Sequence, residues 1–71
     1  MMLLTMAKVG EINLIEKIGG KPETRRFLEN IGFTVGGSVI VVSRTCGNAI
    51  VSIKDSRVAI SREMANKIMV Q

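Results

Sequence analysis

Few residues in this sequence could carry covalent or acid–base chemistry. Cys46 is the one cysteine, and the chain has no histidine that could serve as its base. Nucleophilic catalysis needs an activated nucleophile with a base within hydrogen-bond reach. The neighbours of Cys46, which are Thr45, Gly47 and Asn48, instead place it at the tip of a predicted hairpin. We interpret Cys46 as a turn residue, and we predict no catalytic residue and no enzymatic activity.

The residue types that bind metals are equally sparse. Structural zinc sites combine several Cys and His ligands at short spacing, and this chain has only one such residue. The carboxylates form no tight cluster along the sequence; they are Glu11, Glu16, Glu23, Glu29, Asp55 and Glu63. Methionine most often fills gaps in a core or forms an adaptable contact surface. The sequence therefore predicts neither a metal site nor a cofactor.

Charge and aromatic content bear on binding to nucleic acid. Ten basic and six acidic side chains give a formal net charge of +4, which favours anionic partners. The basic residues are scattered, however, and Arg25-Arg26 is the only adjacent basic pair. The two aromatic residues, Phe27 and Phe33, are assigned to the core and not to a base-stacking surface. Nucleic acid is therefore a disfavoured partner, because its binders usually carry a clustered basic face.

The first half of the chain predicts one strand and one helix. Residues 1–8 are predicted to form a short leader, and Val9-Gly10 separates it from the first regular element. Ile12 and Leu14 alternate with polar neighbours over residues 11–18, and the break in phase that follows predicts a strand with a bulge or bend. Pro22 suits the first position of a helix, and Gly32 suits its left-handed C-cap. The predicted apolar side of this helix consists of Thr24, Phe27, Leu28 and Ile31.

The second half predicts four more strands. Residues 38–45 and 49–54 flank Gly47-Asn48, a typical two-residue hairpin turn. Residues 57–60 form the next strand, and Ser61 is the expected N-cap of a helical turn over residues 62–66. Residues 67–70 close the chain as the last strand. Five short strands with one short inserted helix predict an all-β fold, a small SH3-like barrel, with a β-grasp as the second choice.

Compartment and domain count follow from length and cysteine usage. Residues 1–71 are expected to form a single SH3-like domain, since the length suits one small domain. The start of the chain lacks the pattern of a signal peptide, and no apolar run approaches the roughly 20 residues that span a bilayer. A single thiol cannot form an internal disulfide, and small secreted domains usually contain several. We predict a cytoplasmic protein that does not insert into the membrane.

Two segments of this chain resemble a known family. The first reads Arg25-x-x-Leu28-x-x-Ile31-Gly32-Phe33-x-x-Gly36, and the second covers residues 58–65 and 68–70. Their order and spacing, from about Val9 to Val70, resemble the FeoA family (ferrous iron transport protein A). The chain departs from the pattern at Val35, where many members have proline, and in the hairpin over residues 44–49, which is shorter and lacks prolines.

The resemblance implies an SH3-like fold and a role in bacterial ferrous iron uptake. It implies a cytosolic accessory protein that acts with FeoB, a membrane transporter carrying a cytosolic GTP-binding domain. It also implies that the same fold occurs as the C-terminal domain of iron-dependent repressors similar to the diphtheria toxin repressor. We expect this chain to dock on the transporter through a helix-and-loop surface with one further contact; the candidate residues are Arg25, Leu28, Ile31, Gly32, Phe33 and Arg62.

Three other interpretations stay open on the sequence alone. The chain could be a small barrel that binds RNA or DNA through its positive charge. It could be a structural oligomerisation module, because the edge strands of an incomplete barrel can pair between chains, so a homo-oligomer is a possible partner. It could also be the detached sensing domain of a regulator, although no DNA-reading helix is evident.

Overall fold

Six antiparallel strands form one sheet in the computed structural model, which describes residues 1–71. The elements are β1 (Met2–Leu3), β2 (Ile12–Ile18), α1 (Pro22–Asn30), β3 (Ser38–Thr45), β4 (Asn48–Ile53), β5 (Ser56–Ser61), α2 (Arg62–Ala65) and β6 (Ile68–Val70), with a 3₁₀ turn at Leu4–Met6. The order of the strands in the sheet is β1-β6-β2-β3-β4-β5. The sheet curls into a barrel-like fold that stays open between its two edge strands, β1 and β5.

The inside of the curled sheet holds a single apolar cluster. Its largest fully buried members come from every part of the chain; they are Leu4, Ile15, Leu28, Phe33, Val39, Val41, Val51, Ile68 and Val70. The aliphatic strands β3, β4 and β6 contribute alternate residues to it, as the period of a strand requires. The predicted all-β, SH3-like class is confirmed.

The residues predicted as a leader are part of the fold. Met2 pairs with Val70 and Leu3 with Met69, which adds a sixth strand to the predicted five. Leu4 and Ala7 are each 1% exposed and belong to the core cluster. This strand was not predicted from the sequence, because a two-residue strand followed by a 3₁₀ turn has no periodicity to detect.

Strand β2 has the predicted bulge, but the alternating residues Ile12 and Leu14 do not form its buried face. The register against β6 shifts between Ile15 and Lys17. Asn13 and Ile15 point inward, whereas Ile12 is 74% exposed and Leu14 is also exposed. The buried Asn13 amide donates to the Glu11 carbonyl at 3.0 Å, which offsets the cost of burying a polar group.

Helix α1 begins at Pro22, as predicted, and ends in a Schellman motif. The Gly32 amide donates to the Glu29 carbonyl at 3.1 Å, and the Phe33 amide donates to the Leu28 carbonyl at 2.9 Å. Gly32 has φ +118, a conformation that glycine tolerates best. Phe33 and Leu28, both 0% exposed, make the hydrophobic pair that accompanies this motif.

Phe27 corrects the predicted apolar side of α1. Its side chain is 50% exposed, and Leu28 is the only fully buried residue of the helix. The helix rests on the sheet through a narrow stripe centred on Leu28, with Thr24 and Ile31 partly buried beside it. Phe27 lies at the flank of this stripe. The predicted apolar side, based on spacings of three and four residues, was therefore wider than the buried side of the helix.

The remaining turns lie close to their predicted positions. Strand β3 covers the predicted residues 38–45, but the turn to β4 is Cys46-Gly47 and not Gly47-Asn48, because Thr45 pairs with Asn48. The turn from β4 to β5 is Lys54-Asp55. The Met64 amide donates to the Ser61 hydroxyl at 3.2 Å, which confirms Ser61 as the N-cap of α2.

Candidate docking surface and an arginine-lined cleft

The six predicted docking residues separate into surface and interior positions. Leu28 and Phe33 are 0% exposed, so they support the helix and offer no surface to a partner. This corrects their assignment as contact residues. Ile31 and Gly32 are partly buried at the end of α1. Arg25 and Arg62 are exposed.

Arg25 lies on the rim of a groove beside α1. The groove lies between the helix and the loop that follows it, and we name it the α1 groove. Its lining residues are Ile18, Pro22, Arg25, Arg26, Glu29 and Val35. Val35 is an exposed apolar side chain, held in place because the turn around it hydrogen-bonds to Ile15 of β2 through Gly36 and Gly37. The groove therefore combines two arginines, one carboxylate and one exposed valine on rigid elements.

Phe27 is an exposed apolar side chain on α1 itself, and it is not among the residues that line this groove. Two positions along a helix differ by about 200°, so Phe27 and Arg25 occupy opposite flanks of α1. A partner that contacts both would have to lie across the exposed back of the helix, where Arg26, Glu29 and Asn30 are all exposed.

Arg62 does not share the α1 groove. It lines a separate cleft at the other end of the sheet, between α2 and the β3–β4 hairpin, which we name the arginine cleft. The lining residues of the arginine cleft are Thr5, Arg44, Thr45, Gly47, Asn48, Ala49, Arg62 and Ala65. The Arg62 amide donates to the Gly47 carbonyl at 2.7 Å, which fixes the start of α2 against the hairpin.

A bulge in β3 brings Arg44 into this cleft. The register against β4 shifts between Val41 and Ser43. One extra residue reverses which face the following side chains occupy, so Arg44 pairs with the inward-facing Ala49. The Arg44 Nη2 then donates to the carbonyls of Leu4, at 3.4 Å, and of Ala7.

Sequence reasoning missed Arg26, Val35 and Arg44 as surface-site residues. Arg26 carried a signal, since it adjoins Arg25, and Val35 was noted only as a departure from a family pattern. Arg44 gave no signal, because strict alternation from Val39 and Val41 would point it to solvent. The bulge that places its exposed side chain on the same face of the sheet as Ala49 is a property of the paired strands and cannot be read from β3 alone.

The remaining chemistry-bearing groups are dispersed. Cys46 is a free, exposed thiol at the hairpin tip. The structure contains no group of three or more Cys, Asp or Glu side chains placed to hold a metal ion. Neither helix has the length and apolar character needed to cross a lipid bilayer.

The fold places the chain among small SH3-like β-domains, and its sequence specifies the family. The FeoA domain matches residues 2–71. The chain belongs to the FeoA family, which is involved in Fe(2+) transport.

Individual relatives support this placement. The chain is 35% identical over 68 residues to "Putative Fe(2+) transport protein A" of Methanocaldococcus jannaschii, covering 96% of this chain and 83% of the relative. It also resembles the crystal structure of an iron uptake regulatory protein (FeoA), with a TM-score of 0.88 and 27% identity over 99% of this chain and 93% of that one.

A transcriptional repressor shares the fold. A manganese-dependent transcriptional repressor superposes with a TM-score of 0.87 at 22% identity, over 96% of this chain and 39% of the repressor. At this identity the likeness concerns the fold alone. The expectation concerned iron-dependent repressors, whereas this neighbour is described as manganese-dependent.

Proposed function

We propose that this chain is a non-enzymatic, cytosolic accessory protein of ferrous iron uptake. It docks on the cytosolic GTP-binding part of a FeoB-like membrane transporter and modulates transport. The observation that carries the proposal is the FeoA-domain match over residues 2–71. The free thiol of Cys46 suits a reducing compartment.

The α1 groove is the surface we assign to this docking. Protein interfaces are enriched in arginine, and their apolar core is surrounded by a polar rim. Arg25 and Arg26 supply the first feature, Val35 supplies the second, and Glu29 contributes to the rim. Ile31 and Gly32 support the groove by ending α1, and Arg62 is a second contact only for a partner that also reaches the arginine cleft.

A competition experiment tests the docking surface. The exposed Cys46 allows a single fluorophore to be attached to the otherwise unmodified protein. Binding of this probe to the full-length transporter in lipid nanodiscs is measured by fluorescence anisotropy with GDP, with a non-hydrolysable GTP analogue and without nucleotide. Unlabelled variants then compete with the probe, so the label never affects the variant under test.

We expect Arg25→Glu and Val35→Asp to compete at least about tenfold less well than the wild-type chain, because each removes an exposed contact without disturbing the core. Arg57→Glu is the matched control, since it makes the same charge change at an exposed position of β5. Equal competition by Arg25→Glu and Arg57→Glu would remove Arg25 from the docking surface. A probe that binds the transporter in none of the three nucleotide conditions would overturn the docking itself.

A further inference from the structure

The arginine cleft concentrates positive charge without a compensating carboxylate. Arg44 and Arg62 approach it from β3 and α2, and no Asp or Glu is among its lining residues. Like charges that share a small cleft repel each other, and an anion between them relieves that repulsion. The cleft thus differs from the α1 groove, where Glu29 lies beside the two arginines.

Arg44 is held in a fixed position with part of its guanidinium free. Its Nη2 donates to the carbonyls of Leu4 and Ala7. A guanidinium has five N–H donors, and the N–H groups on Nε and Nη1 have no acceptor within the chain. Two backbone carbonyls therefore orient the group, while its unpaired donors remain available to a ligand.

Arg62 supplies the second guanidinium of the cleft. Unlike that of Arg44, it has no hydrogen-bond partner. Its backbone is fixed by the bond to the Gly47 carbonyl at 2.7 Å, and its side chain is exposed and unpaired. Ala49 and Ala65 also line the cleft, and both are buried residues with small side chains. Thr45 and Asn48 add an exposed hydroxyl and an exposed amide at the rim.

We propose that the arginine cleft binds one phosphoryl group, either as free phosphate or at the end of a phosphorylated small molecule. The cleft has a volume of about 90 Å³, far below the roughly 300–1,000 Å³ of pockets that enclose a drug-sized ligand, so it suits a single small group. Two guanidinium charges match a phosphate monoester, which carries about −1.5 to −2 at neutral pH. Guanidinium also pairs with phosphate oxygens through two parallel N–H bonds.

Titration of the whole ¹⁵N-labelled chain tests this proposal. The probes are inorganic phosphate, glycerol 3-phosphate and acetate, each added at constant ionic strength while backbone amide and arginine Nε–H signals are followed. We expect saturable shifts at Arg44, Arg62, Thr45 and Asn48 with phosphate, and weaker shifts with acetate. Saturation by both phosphate probes assigns the site to phosphorylated molecules, and saturation by inorganic phosphate alone assigns it to the free ion.

Variants separate this site from general charge attraction. We expect Arg62→Gln to weaken phosphate binding at least tenfold, whereas Arg57→Gln, the same change on the exposed surface of β5, leaves it unaltered. Arg62 is the test position because Arg44 also supports the N-terminal segment. Shifts that grow linearly without saturation, equal effects of the two variants, or equal affinity for acetate would each overturn the proposal. The assay uses no transporter, so its outcome is independent of the docking proposal.

Discussion

At the scale of single residues, Gly32 decides how α1 meets the sheet. Its φ of +118 closes the Schellman motif, and a Cβ at this position would lie 3.0 Å from Ile53 Cγ2. Ile53 is buried in the core and cannot move away freely. Gly32 therefore has two separate reasons to be glycine, one in the backbone and one in packing.

A pair of substitutions separates these two reasons. Gly36 also has a positive φ, of +91, but a Cβ there would meet nothing within 4 Å. We expect Gly36→Ala to cost about 1–2 kcal/mol from backbone strain alone, and Gly32→Ala to cost about 2–4 kcal/mol because overpacking adds to the strain.

Urea denaturation of both variants beside the wild type, followed by circular dichroism, measures the difference. The comparison tests whether the contact with Ile53 lowers the stability of the Gly32→Ala variant in addition to the strain caused by its positive φ. Equal losses of unfolding free energy in the two variants would contradict a packing role for Gly32.

At the scale of elements, the N-terminal segment contributes more than its length suggests. Strand β1 covers one edge of β6, and the 3₁₀ turn that follows carries Leu4 into the core. Arg44 then ties the same segment to β3 through the Leu4 and Ala7 carbonyls. The segment thus covers part of the open side of the sheet.

Leu4→Ala tests this contribution. Truncation of a buried leucine costs about 2–5 kcal/mol, which is a large part of the roughly 4–10 kcal/mol of unfolding free energy expected for a domain of this size. Met6→Ala is the control, because Met6 lies in the same turn but is 69% exposed, and we expect it to change stability by less than about 0.5 kcal/mol. The same denaturation assay applies, and similar stabilities for the two variants would show that the segment is peripheral.

The elements also show which structural features the sequence can reveal. Helix α1 and strands β3, β4 and β6 were predictable because caps, turns and aliphatic runs are local signals. The buried face of β2 was not, because Ile12 and Leu14 look like core residues while the inward positions include Asn13, whose amide is satisfied only by a local bond to Glu11. For the candidate sites, Arg25 was predictable from its outward position on α1, whereas the position of Arg44 beside the arginine cleft depends on a bulge set by strand pairing.

At the scale of the whole molecule, the net charge of +4 is spread over separate surfaces. Arg25 and Arg26 border the α1 groove, Arg44 and Arg62 line the arginine cleft, and other basic residues lie elsewhere. Phe27 is the one exposed aromatic side chain, since Phe33 is buried. Such a surface offers neither a continuous basic face nor a row of stacking platforms.

This distribution predicts weak binding to nucleic acid. We expect a fluorescent 20-base-pair DNA duplex to bind, if at all, only at about 50 mM salt, and to lose saturable binding at about 200 mM, because few phosphates can be contacted at once. Anisotropy titrations at the two salt concentrations measure this. Submicromolar binding that persists at the higher concentration would favour the nucleic-acid interpretation over the docking one.

The pairing of Met2 with Val70 brings the first and last strands side by side, and facing residues in an antiparallel pair lie only about 4.5–5.5 Å apart. A longer polypeptide could therefore enter and leave this fold at nearly one point, as in an inserted domain. A short linker between the two ends would give a circular permutant, with new termini at the Lys54-Asp55 turn. The same geometry would let the fold be inserted into a loop of a larger protein with little change to the path of the host chain.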